Sequence, residues 1–354
     1  MNNWGAFRPS LKAVQLIAQI EHFQGSWEKN RRLLLALIRS LTQTTIITSS
    51  GASTRIEGAL LTDEQVEELI EKGLKLDSVA SRSEREVAGY VKSLTYIYEH
   101  SDHLLLSEML IRELHQLLTE DLHEDELPQK QRGTYKDIAN DVVERDVVTG
   151  KEILWLHTTP PGPQTQSAMT SLVDAFHNTA DLHPLFKIAM FNVVFLAIHP
   201  FRDGNGRLSR LLTVLLLLQH YPWTRFVSHE KFIEDNKDRY YLALKQTQKT
   251  LLSTHQDFDF WIELFLTIVL CQTKFLEQKI NLNNQAPPKY KLNKNEKAVL
   301  DYLAKNGPSA SSVINKKVKL SDAGIKKLLK RLENHQLVKK LGQGPATVYQ
   351  DHSH

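Results

Sequence analysis

Apolar residues recur at helical spacing over most of the first 280 positions. Residues 11–20, 30–40, 62–71, 82–100 and 106–118 each place them three or four apart, which predicts helices with one buried face. Thr62 and Gln65 stand three apart at the start of one of them, the pattern of a capping box. Residues 185–198, 211–218 and 260–275 are apolar at most positions and predict helices held inside the core. Residues 141–156 follow another rule. Val142, Val143, Val147, Val148, Ile153, Leu154 and Trp155 flank Thr149-Gly150, so a β-hairpin is expected there. Residues 157–163 hold three prolines and are read as non-helical. Residues 281–288, ending in Pro287-Pro288, read as a linker. Beyond it, 295–306 predicts a helix closed by Gly307-Pro308, 309–318 a short second helix and 321–335 a third. Residues 337–350 then predict strand, turn at Gly342-Gln343-Gly344-Pro345, and strand. The expected fold class is mainly α.

Composition narrows the picture. The 354 residues are enough for two or three domains, and 41% of them are hydrophobic, as in a globular protein. No apolar run approaches the roughly 20 residues of a membrane span. The first residues lack the basic and apolar regions of a signal peptide. The single cysteine excludes an internal disulfide and a cysteine metal cluster. A cytoplasmic location is expected. The net charge of +3 hides a segregation: residues 285–354 hold fourteen Lys and Arg against five Asp and Glu. The order of elements in that tail resembles a winged helix-turn-helix, with 321–335 as recognition helix. Lys326, Lys327, Lys330 and Arg331 along it suit phosphate contact. Such units also dock proteins or pair with a second copy, so DNA and a homodimer are both candidate partners.

The chemistry concentrates in one run, His199-Pro200-Phe201-Arg202-Asp203-Gly204-Asn205-Gly206-Arg207-Leu208-Ser209-Arg210. Pro200 disfavours helical geometry at His199, so the first buried helix should end there. Gly204, Asn205 and Gly206 can adopt backbone angles that other residues avoid, and successive N–H groups in such a turn form an anion-binding nest. The next helix is expected to start at about Arg207, aiming its free N–H groups and positive dipole end the same way. Arg207 and Arg210 are three apart and share a helix face. Arginine is unfavourable at a helix start, so two of them imply a compensating anion. Asp203 supplies a hard oxygen ligand of the kind that holds Mg²⁺ beside phosphates.

This run resembles the Fic motif, His-x-Phe-x-(Asp/Glu)-Gly-Asn-Gly-Arg-x-x-Arg, at every specified position. Fic enzymes typically move AMP from ATP onto a hydroxyl of a target protein. The resemblance implies that His199 is the general base on a Ser, Thr or Tyr hydroxyl. It implies that Asp203 holds Mg²⁺, that Gly204, Asn205 and Gly206 cradle the α- and β-phosphates, and that Arg207 and Arg210 contact the β- and γ-phosphates. Ser53-Thr54-Arg55-Ile56-Glu57-Gly58 resembles the family's inhibitory motif, (Ser/Thr)-x-x-x-Glu-(Gly/Asn), which would pair Glu57 with Arg210 and misalign ATP. On the residues alone the hexapeptide reads as a helix start with a first-turn acid. The hairpin resembles the flap that docks the target segment by strand addition. Residues 236–244 resemble the segment lining the base, with Tyr240 or Tyr241 on the adenine, and Gln248 stands where some relatives carry Asn. The expected domains are 1–100, a helical region with the inhibitory motif; 101–280, the Fic core; and 289–354, the winged tail. The expected activity is self-inhibited protein adenylylation. Alternatives are a DNA-binding regulator that only senses nucleotide, and a Fic enzyme that removes AMP or transfers UMP or phosphocholine.

Overall fold

The computed structural model describes residues 4–351 except 31–34, 77–78, 146–151, 252, 254–255, 286–291, 336, 343 and 345–346. The amphipathic stretches form α1 (Leu11–Asn30), α2 (Leu35–Ile56), α3 (Asp63–Glu71), α4 (Arg82–His100) and α5 (Glu108–Thr119). The Thr62/Gln65 capping box opens α3 as expected. One expectation fails in an informative way. The small polar residues before Glu57 do not start a helix; they lie in the last turns of α2, which runs on past residue 40. Ser49, Ser50, Ser53 and Thr54 are buried there, and the Thr54 hydroxyl returns to the Ser50 carbonyl at 2.9 Å. Small hydroxyl residues that bond their own helix can stay helical when packing rewards it.

The hairpin follows, β1 (Val142–Arg145) antiparallel to β2 (Glu152–Leu156); its Thr149-Gly150 turn lies outside the described residues. Then come α6 (Pro163–Asn178), α7 (Pro184–Ile198), α8 (Asn205–His220), α9 (His229–Glu234), α10 (Lys237–Gln248) and α11 (Asp259–Gln285). Pro163 is the first residue of α6, where its missing N–H costs nothing. The expected linker is helical as far as Gln285. Its two prolines lie outside the described residues. The tail forms α12 (Lys294–Asn306), α13 (Ser311–Val318), α14 (Asp322–Asn334), β3 (Val338–Leu341) and β4 (Val348–Asp351).

The chain divides into two compact units, one of residues 1–29 and 41–277, the other of 30–40 and 278–354. In the first, α7 is buried at twelve of its fifteen residues, so it has no polar face. It packs beside α8, which is nearly as buried. Asn192 of α7 donates to the Thr213 hydroxyl of α8 at 2.8 Å, which locks the register of the pair. Ile47, Val66, Leu69, Val87, Ala88 and Val91 join α2, α3 and α4 in one cluster. Each of the five larger side chains, Ala88 excepted, contributes about 1.5–3 kcal/mol on burial. In the second unit α12, α13, α14 and the antiparallel β3–β4 hairpin follow the order of a winged helix-turn-helix, and Ser309 bridges Tyr349 as a further short strand. Ile325, Leu328, Leu329 and Leu332 put one face of α14 into that core. Among the described residues no helix is long and apolar enough to cross a membrane.

Candidate active site

The junction of α7 and α8 is shaped by backbone geometry that the sequence permits at few places. His199 leaves α7 in the left-handed region at φ 53°, directly before Pro200. Gly204 has φ 78°, and α8 begins at Asn205, two residues earlier than expected. Asn205 explains the early start. Its side chain accepts from Phe201 N–H at 2.9 Å and donates to Phe201 O at 2.7 Å, so it closes the turn from inside. Leu208 N–H is the first to bond back, to Gly204 O at 2.9 Å. The amides of Asn205, Gly206 and Arg207 therefore have no partner within the helix and face outward as an anion site. Gly206 is helical rather than left-handed, so the expected three-residue nest is a helix N-terminus preceded by one left-handed glycine. Glycine at 206 serves a different end: it leaves the room that the Glu57 carboxylate occupies, where a methyl would displace that side chain.

Four residues that periodicity did not single out brace this loop. Lys136 donates its ammonium to the Asn140 carbonyl oxygen (2.6 Å), the Thr158 hydroxyl (2.8 Å) and Ile198 O (3.2 Å), and its N–H reaches Pro200 O at 2.8 Å. Burial pushes the Lys136 ammonium down to about 8. Asn140 donates to His199 O and Phe201 O at 3.2 and 2.7 Å. His115 stacks on Phe201 at 3.9 Å, accepts from Gly133 N–H at 2.9 Å and faces Asp203 O at 3.0 Å. The first contact makes Nδ1 the acceptor, so Nε2 carries the proton and donates to Asp203 O. They lie in other segments, 41–84 residues before His199, and no local signal could have found them.

His115 is fully buried, and burial pushes its imidazole down to about 4 from 6.5. The unfolded chain then takes up a proton that the folded chain refuses, so stability falls as pH drops from 6.5 toward 4. The full shift corresponds to about 3 kcal/mol. Urea unfolding at pH 7 and 4.5 should show that loss, and His115→Gln, with no proton to gain, should show a smaller one on a lower baseline. Equal pH dependence in both would remove His115 as the cause.

The charged groups form two clusters on the same cavity wall. In the first, Asp203 accepts from Arg82 Nη2 at 2.6 Å, from Gly204 N–H at 2.6 Å and from Arg207 Nη2 at 3.4 Å. Burial raises the Asp203 carboxyl, but Arg207, the Gly204 amide and Arg82 outweigh it and hold the group below its usual range. Glu86 lies 2.9 Å from Arg82 Nε and 3.2 Å from Arg207 Nη1. Arg207 is buried; its Nη1 is ion-paired with Glu86 without an aligned hydrogen bond, and its Nε finds no hydrogen-bond acceptor among the described residues. A buried guanidinium donor left open in this way is what an anion would satisfy. In the second cluster Arg210, also buried, donates to the Ser53 hydroxyl (2.8 Å), Ser53 O (2.9 Å) and Glu57 Oε1 (2.8 Å). Loss of water raises the Glu57 carboxyl, yet Arg210, Arg207 and His199 pull it below its usual range. Glu57 sits just past the C-terminus of its own helix, where a carboxylate is disfavoured, and against the N-terminus of α8, where it is favoured.

His199 is half-buried. Its Nδ1 donates to Leu196 O at 3.2 Å, which leaves the Nε2 lone pair free, and burial pushes the imidazole down to about 4. The cavity it borders has a volume of about 870 Å³. Both tyrosines line it. Tyr240 is buried against Trp261, while Tyr241 is half-buried and meets Trp155 edge to face at 5.6 Å. Trp155 is a wall residue that the sequence reading used only as a strand former. The β1–β2 register slips between Val142 and Val143, so Trp155 has no partner across the ladder. A bulge of this kind re-aims a side chain. Gln248 also borders the cavity, with its amide 3.5 Å from Val193 O. No group of three or more His, Cys, Asp or Glu among the described residues could hold a metal alone.

Residues 105–217, which include α5, the hairpin, α7, the loop and most of α8, match the family model of the Fic/DOC family. A protein adenylyltransferase Fic of Culex quinquefasciatus is 28% identical over 178 residues, 48% of this chain and 32% of that one. What the match shows is a Fic/DOC-type segment over residues 105–217, about a third of the chain. The adenylyltransferase fic-1 of Caenorhabditis briggsae is 25% identical over 167 residues, 46% of this chain and 30% of its own. The chain thus spans about a third of the length of the curated relatives it matches. A crystal structure of a Fic family protein from Desulfovibrio desulfuricans superposes with a TM-score of 0.62 at 21% identity, covering 98% of both chains. A Fic domain containing signaling protein from Bacteroides thetaiotaomicron gives 0.56 at 22% identity, over 77% of this chain and all of its own. These likenesses establish the fold, and the match to the Fic family covers the loop but not α2 or Glu57.

Proposed function

We propose that this chain transfers AMP from ATP to a hydroxyl group of a target protein. The observation that carries the reading is the meeting, on one cavity wall, of a free imidazole nitrogen at His199 with the N-terminus of α8 and the guanidinium groups of Arg207 and Arg210. The amides of Asn205, Gly206 and Arg207 and the Arg207 guanidinium bind the phosphates, and Arg210 takes the terminal one once Glu57 leaves. Trp155, Tyr240 and Tyr241 offer aromatic surface to a nucleotide base. His199 Nε2 takes the proton as the target oxygen bonds to the α-phosphorus. The bond from that phosphorus to the bridging oxygen breaks, and pyrophosphate leaves.

Asp203, the carboxylate of the loop itself, is proposed to hold Mg²⁺. A single carboxylate with phosphates and waters is a sufficient set for that ion, and the cation that Asp203 now meets, Arg82, marks the charge the place selects. Mg²⁺ there would offset the charge of the phosphates. The target segment is proposed to lie along the hairpin, whose strands pair only with each other among the described residues, so each keeps a free edge. Val143 and Leu154, both nearly half exposed, supply apolar contact beside it.

The test compares ATP labelled at the α- or the γ-phosphate, with Mg²⁺ and lysate, using wild type and Glu57→Gly. Protein should retain the α label alone, with release of pyrophosphate. Retention of the γ label, or of neither by both forms, would overturn the reading. A parallel reaction with UTP labelled at the α-phosphate separates AMP from UMP as the group transferred. Loss of AMP from a pre-labelled target, in place of its gain, would mark the removal reaction.

A further inference from the structure

The second unit carries a surface that the transferase reading leaves without a role. Between Ser311 and Leu341 stand nine Lys and Arg and two acidic residues. All eight lysines of that stretch are exposed. They occupy successive elements of the winged unit: the end of α13, the outer face of α14 and the strand β3. On α14 the apolar positions face the core, and Lys326, Lys327 and Lys330 take the opposite side. Lys326 and Lys330 are one turn apart, so they repel each other in the free protein. The turn that presents the helix is rigid. Asn315 both donates to Leu320 O and accepts from Leu320 N–H, each at 2.9 Å, and Ser321 caps α14 through Gly324 N–H at 3.1 Å.

We infer that this face docks double-stranded DNA, with α14 along the major groove and the lysines of α13 and β3 on flanking phosphates. Two features favour a polyanion over a protein surface. The outer face of α14 has no exposed aromatic or large aliphatic side chain, whereas protein interfaces are anchored by such residues and depleted in Lys. The charge also continues across three elements rather than one. The same composition sets the mode of binding. Asn and Gln, which read base edges in pairs of bonds, are missing from the outer face until Asn334 at the helix end. Arg331 pairs through Nε with Glu296 at 2.8 Å, so it is turned to its own unit rather than to a base. Lysines reach phosphates and carry little sequence information. The docking is therefore salt-dependent and weakly selective. It rests on the second unit alone and stands or falls independently of adenylyl transfer.

The test is fluorescence anisotropy of the full chain with a labelled 30-base-pair duplex of arbitrary sequence. About four released contacts give roughly a 100-fold loss of affinity from 50 to 200 mM NaCl. A second duplex of unrelated sequence should bind within about threefold of the first. The triple variant Lys326→Glu, Lys327→Glu, Lys330→Glu should bind at least about 30-fold more weakly and with a shallower salt slope. Lys339→Ala with Lys340→Ala, on the wing, should weaken binding less, and it keeps the test standing if the triple variant does not fold. His199→Ala should bind like wild type. Absence of binding at 50 mM NaCl, or equal affinity in wild type and the folded variants, would overturn the inference. Displacement of the duplex by polyglutamate at equal charge would overturn it too, in favour of an acidic protein partner.

Discussion

His199→Ala is expected to lower the rate of adenylyl transfer by about 10²–10⁴-fold, the usual contribution of a positioned general base. The reason lies in the Nδ1 contact. With that nitrogen donating to Leu196 O, the imidazole can only accept at Nε2, and its left-handed backbone holds that nitrogen at the edge of the cavity. Nothing in the contacts of His199 grips a phosphate, so ATP affinity measured by calorimetry should stay within about twofold of the parent. Both should be measured in a Glu57→Gly background, where the nucleotide site is clear. The pH profile adds a second reading. The base form of His199 is lost as pH falls through its folded value, near 4 rather than 6.5. The rate should therefore be level from pH 8 to 6 and decline only below about 5. Activity within tenfold of the parent in His199→Ala would remove the imidazole from the chemistry. An acid limb centred at 6.5 would show that the group opens to water in the working enzyme.

The loop was legible because its chemistry is contiguous. Twelve consecutive residues carry the base, the acid, the turn and both arginines, and their spacing alone states a phosphate site. What spacing could not state is why each residue is there. Gly206 reads as a residue for unusual backbone angles, yet its backbone is helical and its value is the room it leaves for Glu57. Asn205 reads as part of a nest, yet its side chain is spent on closing the turn through Phe201. The inhibitory hexapeptide was visible but stood at the wrong end of its helix. Ser and Thr lower helix propensity in isolation, yet α2 runs to Ile56 with Ser49, Ser50 and Ser53 buried.

The braces were out of reach for a different reason. His115, Lys136 and Asn140 meet the loop, with Thr158 behind Lys136 and Asn140, only after the chain has folded back across α5, the hairpin and α7. Their use is to hold a strained corner still: left-handed His199 and Gly204 lie five residues apart, and the carbonyls between them would otherwise lack partners. On the proposed reading, a cavity wall held this firmly makes the carboxylate that follows α2 and the terminal phosphate of a nucleotide compete for Arg210.

Glu57→Gly should accordingly raise adenylyl transfer by about 10- to 100-fold, equivalent to about 1.4–2.8 kcal/mol of released competition. In the present state Glu57 Oε1 occupies Arg210 and lies where Gly206 leaves space at the α8 terminus, so a terminal phosphate meets both a filled donor and a like charge. Removing the carboxylate frees Arg210 without moving it, because Ser53 still accepts from its Nε and Nη2. Stability should move the other way. Arg210 is 1% exposed, and a buried cation deprived of its counter-charge is destabilising. The variant should melt below wild type without nucleotide, and ATP should then stabilise it far more than it stabilises wild type, since ligand binding adds to stability by mass action. Glu57→Gln, which keeps the shape and loses the charge, should fall between the two in rate. Self-inhibition should persist across neutral pH, because Arg210 holds the Glu57 carboxyl below its usual range and acid must fall through that lowered value to neutralise it. A Glu57→Gly variant with wild-type rate and a wild-type response to ATP would show that the Arg210 pair is structural and that the site is open without it.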